Sequence, residues 1–402
     1  MTSKKRVLGF FFVNVLIYLA SNFAHPVTPT VIYDLKLPDY MFGLALAVMN
    51  ATMFLFSPFW GKINSYVPYR VSLFISCMGY ALSQAMFGFA ADMAGIIAAR
   101  MLAGVFIGGL FTSILGYITT TSPDEARGKY LTIYATMQSV VGAFGYFIGG
   151  MLGEISTAAA FIAQVALLAV SGILFMLVCG PDKASELENK PSRKEFIREC
   201  NPFAAFAAGR SFLNGVWVKI FSVCCFSYIG YIAFEQVFNY YIKDQFGLSS
   251  AYNGTIKFAV GIISLIANST VCTYLMKKTD TRKTLIPILF IGTLSIVAVI
   301  FAPEIWSFLG ISVIQFAVYS VSIPLTQDMV AERAGRGDRS LIMGFYQAIR
   351  AVGGMIGSLM AGLLYDIDPL VPFMFAAVGF GISVVVEVFY YQSEKKAEKA
   401  AE

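Results

Sequence analysis

The chain has 402 residues, of which 57% are hydrophobic, 15% aromatic and only 13% charged, about half the charged share of a soluble domain. Water is therefore not its main solvent, and a soluble globular fold is excluded. The formal net charge of +5 does not mark a nucleic-acid partner, because the 29 lysines and arginines are spread over short segments rather than gathered into a patch.

A spanning helix needs about 20 mostly apolar residues, since roughly 30 Å of hydrocarbon is crossed at 1.5 Å per residue. Lys4, Lys5 and Arg6 precede an apolar run that continues past Tyr18 without a small-residue cleavage site, so this run reads as a first span rather than a signal peptide. Twelve runs follow in order, near residues 7–32, 41–61, 70–91, 93–117, 128–152, 156–179, 219–242, 250–275, 283–302, 304–327, 340–364 and 369–392. The fold class expected is an all-α membrane protein in two pseudo-symmetric six-helix bundles, residues 1–180 and 219–392. Residues 181–218 form a cytoplasmic linker, in which Arg193 to Glu199 followed by Phe203 and Phe206 predict a short amphipathic helix; residues 393–402 form a tail.

Positive loops stay on the cytoplasmic side. With both termini inside, the inner segments collect nearly all the basic residues, and only Lys36 and Lys243 fall in outer loops. Six cysteines, Cys77, Cys179, Cys200, Cys224, Cys225 and Cys272, lie in or beside apolar runs with no C-x-x-C pair, so no disulfide framework and no metal are expected.

The two halves share a register. Residues 127–155 align on 339–367 at a constant offset of 212 with eight identities, among them Arg127/Arg339, Tyr134/Tyr346, Gly142/Gly354, Gly145/Gly357 and Gly150/Gly362. The same offset places Arg70 on Arg282 and Leu73 on Leu285. A parallel repeat of six helices implies a pseudo-two-fold axis along the membrane normal and a solute site near the midplane between the halves. The glycine rows of the fifth and eleventh spans read first as close helix packing.

Several motifs resemble the major facilitator superfamily over nearly the whole chain. Gly61-Lys62-Ile63-Asn64-Ser65-Tyr66-Val67-Pro68-Tyr69-Arg70 occupies the place of that family's loop G-x-x-x-D-R-x-G-R-[RK], keeping only its first glycine and last basic residue. Arg100-Met101-Leu102-Ala103-Gly104 is similar to the intramembrane R-x-x-x-G. Pro123-Asp124-Glu125-Ala126-Arg127-Gly128 is similar to the acidic then R-G entry to the fifth helix. Gly145-Tyr146-Phe147-Ile148-Gly149-Gly150 resembles the G-P-x-x-G-G of drug:proton antiporters, with Tyr146 in place of the proline. The resemblance implies a transporter whose helices 1, 4, 7, 8 and 11 line a central cavity.

On those helices lie five ionisable residues of the spans. A charge at mid-span costs about 2.5–3.5 kcal/mol on insertion scales, so such residues face a cavity or one another. Arg350 lies eleven residues beyond Arg339, roughly 16 Å in, with Gln138 its counterpart in the other half. Arg100, Glu235, Lys257 and the sole histidine, His25, sit roughly 10–14 Å below the outer face. Three fixed positive charges against one negative invite an anion, so Arg350, Lys257 and Arg100 are expected to hold an anionic or amphipathic substrate. Gln138, Asn22, Tyr228, Gln236 and Tyr319 are expected beside them, while Glu235 and His25 are the candidates for proton coupling. Glu235 and Lys257 also have a plain alternative as a structural ion pair, and Glu387 in the last span reads as peripheral and snorkelling.

No G-x-x-x-x-G-K-[ST] loop occurs, so transport is expected to be secondary, without a cofactor and with a proton as co- or counter-ion. Two alternatives stay open on the same scaffold, a multidrug antiporter for neutral amphipaths and a lipid or amphipath flippase. An enzyme is not expected, given a single histidine, no H-E-x-x-H and no G-x-S-x-G. The expected setting is the cytoplasmic membrane of a prokaryote, as a monomer in the lipid bilayer.

Overall fold

The computed structural model describes residues 4–28, 31, 34–37, 41–182, 214–247, 250–334, 339–365 and 367–401. Among them there is no strand, and twelve helices are long and apolar enough to cross a membrane. The first six are α1 (Lys4–Phe23), α2 (Met41–Ile63), α3 (Tyr69–Gly88), α4 (Met93–Thr121), α5 (Asp124–Ile155) and α6 (Thr157–Val178). The others are α7 (Gly215–Asp244), α8 (Ser250–Ala267, then Asn268–Cys272 and Thr273–Lys278), α9 (Thr281–Ile300), α10 (Ile305–Arg333), α11 (Arg339–Tyr365) and α12 (Val371–Ala401). The expected linker helix lies in 183–213, outside the described residues.

Polar side chains mark where the helices start. Asp92 accepts from Gly95 N (2.7 Å) ahead of α4, Asn214 from Val216 N and Trp217 N ahead of α7, and Asp280 from Arg282 N (2.9 Å) ahead of α9. Ser156 is extended at φ −170° and serves two helices at once: its N–H closes α5 on Leu152 O, and its Oγ caps α6 at Ala159 N. Large apolar side chains such as Phe12, Leu82, Phe147, Leu177, Phe290 and Phe389 are exposed, as befits a surface solvated by acyl chains. Phe301 and Trp306 stand out at the α9–α10 junction, a position suited to an interfacial aromatic belt.

Three elements depart from the expected spans. The first was expected to run to residue 32, yet α1 stops at Phe23 in a turn over residues 24–27, because Pro26 has no N–H to give and its ring crowds the carbonyl four residues back. Helical bonding resumes at once, with Thr28 N donating to Ala24 O (3.0 Å) and Val31 N to Val27 O (3.1 Å). In α8 the segment Asn268–Cys272 widens into a π-turn, where Thr273 Oγ1 donates to Asn268 O (2.9 Å) and Asn268 Nδ2 reaches Ser320 Oγ on α10 (2.8 Å). Finally, α12 stays helical to Ala401, through the stretch set apart as a tail.

The chain folds as two compact units, Met1–Arg210 with Arg333–Ala351, and Ser211–Glu332 with Val352–Glu402. In the first, α4 packs on α2 and α3, α6 on α3 and α1, and α1 on α5. At the α1–α5 contact a Cβ on Gly145 would stand 2.5 Å from Leu19 O. Where α2 meets α4, a Cβ on Gly104 would overlap Met49 O and Thr52 Oγ1. The first turns of α11 belong here too: Arg339 donates to Thr119 O (3.0 Å) and meets Asp124 (3.4 Å), which also pairs with Arg127 (2.9 Å). The repeat-related arginines Arg127 and Arg339 therefore share one carboxylate. In the second unit, α12 packs on α7 and α9, and a Cβ on Gly357 of α11 would stand 2.7 Å from Ile229 O on α7.

Overpacking costs about 1–3 kcal/mol where nothing can yield, and backbone cannot. Gly104→Val is therefore expected to lower the melting temperature in detergent sharply or to abolish folding. Gly310→Ala, where nothing lies within 4 Å of the new Cβ, is expected to hold or raise it, by about 0.4–1 kcal/mol. Equal behaviour of the two variants would contradict the α2–α4 contact.

Candidate functional site

Besides Arg127 and Arg339, which share Asp124, two further arginines of the first unit are drawn inside. Arg100 sits two turns into α4 and is 5% exposed, because Gly104 lets α2 approach and bring Met49 against it. Its guanidinium carbon stands 4.1 Å from the centre of the Phe87 ring, Nη2 donates to Thr28 Oγ1 at 3.4 Å, and Nη1 is 3.9 Å from Met49 Sδ. Nε has no partner. Two buried amides of this unit are also unfulfilled, Gln84 at Oε1 and Gln164 at both amide atoms. Arg100 is thus held by a ring, a hydroxyl and a thioether within the helix bundle.

Arg350, 8% exposed, lies among tyrosines. Its guanidinium carbon is 5.7 Å from the Tyr346 ring centre, and its charge reaches the phenols of Tyr18 and Tyr134. Those two rings meet edge to face at 5.6 Å. Gln138, one turn beyond Tyr134 on α5, is half-buried, and its Oε1 accepts no hydrogen bond. Asn22 is half-buried and bonds its own helix at Tyr18 O (2.8 Å), lying against the surface where Gly142 has no side chain. His25 falls in the turn after α1 rather than inside a span helix, and its N–H leans on Asn22 O at 3.4 Å. The single continuous helix expected through His25 is thus interrupted at residues 24–27.

In the second unit the candidates gather around rings. Tyr231 of α7 stacks on Tyr319 of α10 with centroids 3.5 Å apart and planes within 8°. Tyr228 flanks both, 6.2 Å from Tyr231 and 6.4 Å from Tyr319. Glu235, one turn along α7, receives the Tyr231 hydroxyl, and both it and Gln236 are half-buried. Behind this stack Ser295 donates to Gln315 Oε1 (2.7 Å), joining α9 to α10. Lys257 is carried on α8, but its side chain falls outside the described residues, and so does the proposed Glu235–Lys257 pair.

Sequence reasoning named Tyr228 and Tyr319 but passed over Tyr231, the ring that joins them to the acid. Four-residue spacing on one helix face puts Tyr231 directly beside Glu235, so the signal was present. Tyr18, Tyr134 and Tyr346 were missed as a group around Arg350, although Tyr134/Tyr346 is an identity of the internal repeat.

The sequence matches the family profile described as Major Facilitator Superfamily over residues 10–307 and 271–402. It is 21% identical over 389 residues to multidrug resistance protein 1 of Bacillus subtilis (strain 168), covering 96% of this chain and 97% of that protein. With quinolone resistance protein NorA of Staphylococcus aureus (strain COL) it shares 22% over 385 residues, 96% of each chain. Among solved structures, the human organic anion transporter MFSD10 (TETRAN) aligns with a TM-score of 0.79 at 13% identity, covering 96% of this chain and 100% of that one. The transporter FucP in its outward conformation aligns at 0.73 and 14%, covering 96% and 98%.

A buried cation with an unpaired Nε gains little over an apolar side chain of the same length, since such replacements are often neutral or stabilising. Arg100→Met is therefore expected to leave the melting temperature unchanged or higher. A clear fall would show instead that the Thr28 and Phe87 contacts hold the bundle together.

Proposed function

The chain belongs to the major facilitator superfamily and is a multi-pass membrane transporter of small molecules, and from that premise we propose that its substrate is an amphipathic organic solute with an aromatic body and an anionic group. The observation that carries this reading is Arg350 enclosed by Tyr18, Tyr134 and Tyr346. Arginine keeps its charge at any working pH and offers a planar fork that matches a carboxylate. Holding such a group in the spans costs about 2.5–3.5 kcal/mol on insertion scales, and an anionic substrate offsets that cost. The stacked Tyr231 and Tyr319 supply a flat apolar surface, and Arg100, Lys257, Gln138, Asn22, Tyr228 and Gln236 are the further substrate-binding candidates. Names among the relatives point the same way, quinolone resistance for one and organic anion transport for another.

Transport is secondary, by alternating access, and coupled to protons through Glu235. When Glu235 takes up a proton, its hold on the Tyr231 hydroxyl weakens, so proton and solute act on the same pair of rings. His25, the sole histidine, is the second candidate. Both termini face the cytoplasm, the side on which the basic loops lie, and the protein works as a monomer in a prokaryotic cytoplasmic membrane. A second reading, export of neutral amphipaths, is favoured by the relative named for multidrug resistance and by rings that recognise shape more than charge.

A thermal-shift panel of aromatic anions, cations and neutral amphipaths on the purified protein separates the two. Anions are expected to stabilise it. A charge-assisted hydrogen bond is worth about 1.5–3 kcal/mol, so Arg350→Gln should weaken anion binding about 10- to 100-fold and spare neutral compounds. Binding of neutral amphipaths alone would replace the first reading by the second. In proteoliposomes with an imposed pH gradient, flux should follow the gradient and lose that dependence in Glu235→Gln. Flux indifferent to the gradient in the wild type would discard proton coupling.

A further inference from the structure

Glu387 on α12 does not snorkel. Its exposure is 0%, and neither carboxyl oxygen has a hydrogen-bond partner. The residue faces inward because α12 packs on both α7 and α9. One turn earlier, Ser383 Oγ lies 3.0 Å from Gly379 O of its own helix and 3.4 Å from Val223 O of α7.

The charged groups around it are few and already engaged. From α9, Arg282 and the capping Asp280 are near enough to act on it electrostatically. Arg282 is bound elsewhere, with Nε 3.1 Å from Asp280 and Nη1 3.0 Å from Glu398 and 3.9 Å from Glu394. From α7, Lys219 donates to Ser393 Oγ (2.9 Å). The acidic groups on α12 itself, Glu394 and Glu398, turn to Arg282. An isolated carboxylate withdrawn from water and given no donor is among the most costly groups a protein can bury, whereas the neutral acid carries no such charge.

We propose that Glu387 is a proton-binding site, occupied as the neutral acid at neutral pH and exchanging with solvent through the half-exposed Asp280–Arg282 end of α9. The proton comes from water and returns to it, and no other reactant is needed. This site is distinct from the pair formed by Glu235 and Tyr231. Glu235 lies twelve residues beyond Val223 on α7, about 18 Å along the axis, and Glu387 lies a turn further the other way. It stands whatever the transported solute, and its test uses no substrate.

Infrared spectra of the purified protein, recorded against pH in light and heavy water, read this state directly. A protonated-carboxyl C=O band is expected at neutral pH. It should shift on deuteration, persist in Glu235→Gln and vanish in Glu387→Gln. Persistence of the whole band in Glu387→Gln, or a band that never shifts in heavy water, would overturn the proposal. Should that variant not fold, the wild type still decides: a spectrum without the band at neutral pH refutes it, and so does loss of the band in Glu235→Gln.

Discussion

Acyl chains are as apolar as leucine, so helices in a bilayer gain nothing by hiding hydrocarbon from one another; they associate where their backbones can come close. Two such approaches recur at equivalent positions of the internal repeat. Gly145 of α5 meets the carbonyl of Leu19 on α1, and Gly357 of α11 meets the carbonyl of Ile229 on α7. Gly145 and Gly357 are equivalent in the internal repeat, and the residue before each carbonyl is a tyrosine, Tyr18 in one case and Tyr228 in the other. Fixing the glycine against the carbonyl fixes the depth of the phenol. The repeated glycine thus sets a phenol beside it in each unit, in different company: Tyr18 within reach of a guanidinium, Tyr228 beside a ring stack and an acid.

Much of this was legible in advance, because it rests on counts and periods. Twelve apolar runs gave twelve spans, and Gly142, Gly145, Gly353 and Gly357 of the glycine rows read as packing lie at helix contacts, whereas Gly362 faces open space. Boundaries failed where one residue overrules a pattern. Pro26 ends α1 before the apolar run ends, and that single missing N–H changes the setting of His25. The π-turn in α8 has no periodic signature, since it inserts a residue into a helix that is otherwise regular. Depth estimates from residue counts located the ionisable groups along the helices but not around them. Glu387 shows the difference: its distance from the end of the span suggested a side chain reaching water, and its direction took it between α7 and α9.

Arginines and acids are distributed unequally within the units. Arg100 and Arg350 of the first unit lie against aromatic rings, Phe87 in one case and Tyr346 in the other, whose faces attract a cation. Arg282 of the second unit, at a helix end, is answered by carboxylates. Exposed pairs of that kind contribute little to stability. The contrast separates an arginine that finishes a helix from arginines drawn inside a bundle.

Ser156 closes α5 and opens α6 with no connecting residue between them. A junction so short has no slack to absorb relative sliding, so neither helix can move along its axis there without carrying the other. Since α5 carries Tyr134 and Gln138, an axial displacement of α6 is handed directly to the helix that bears them.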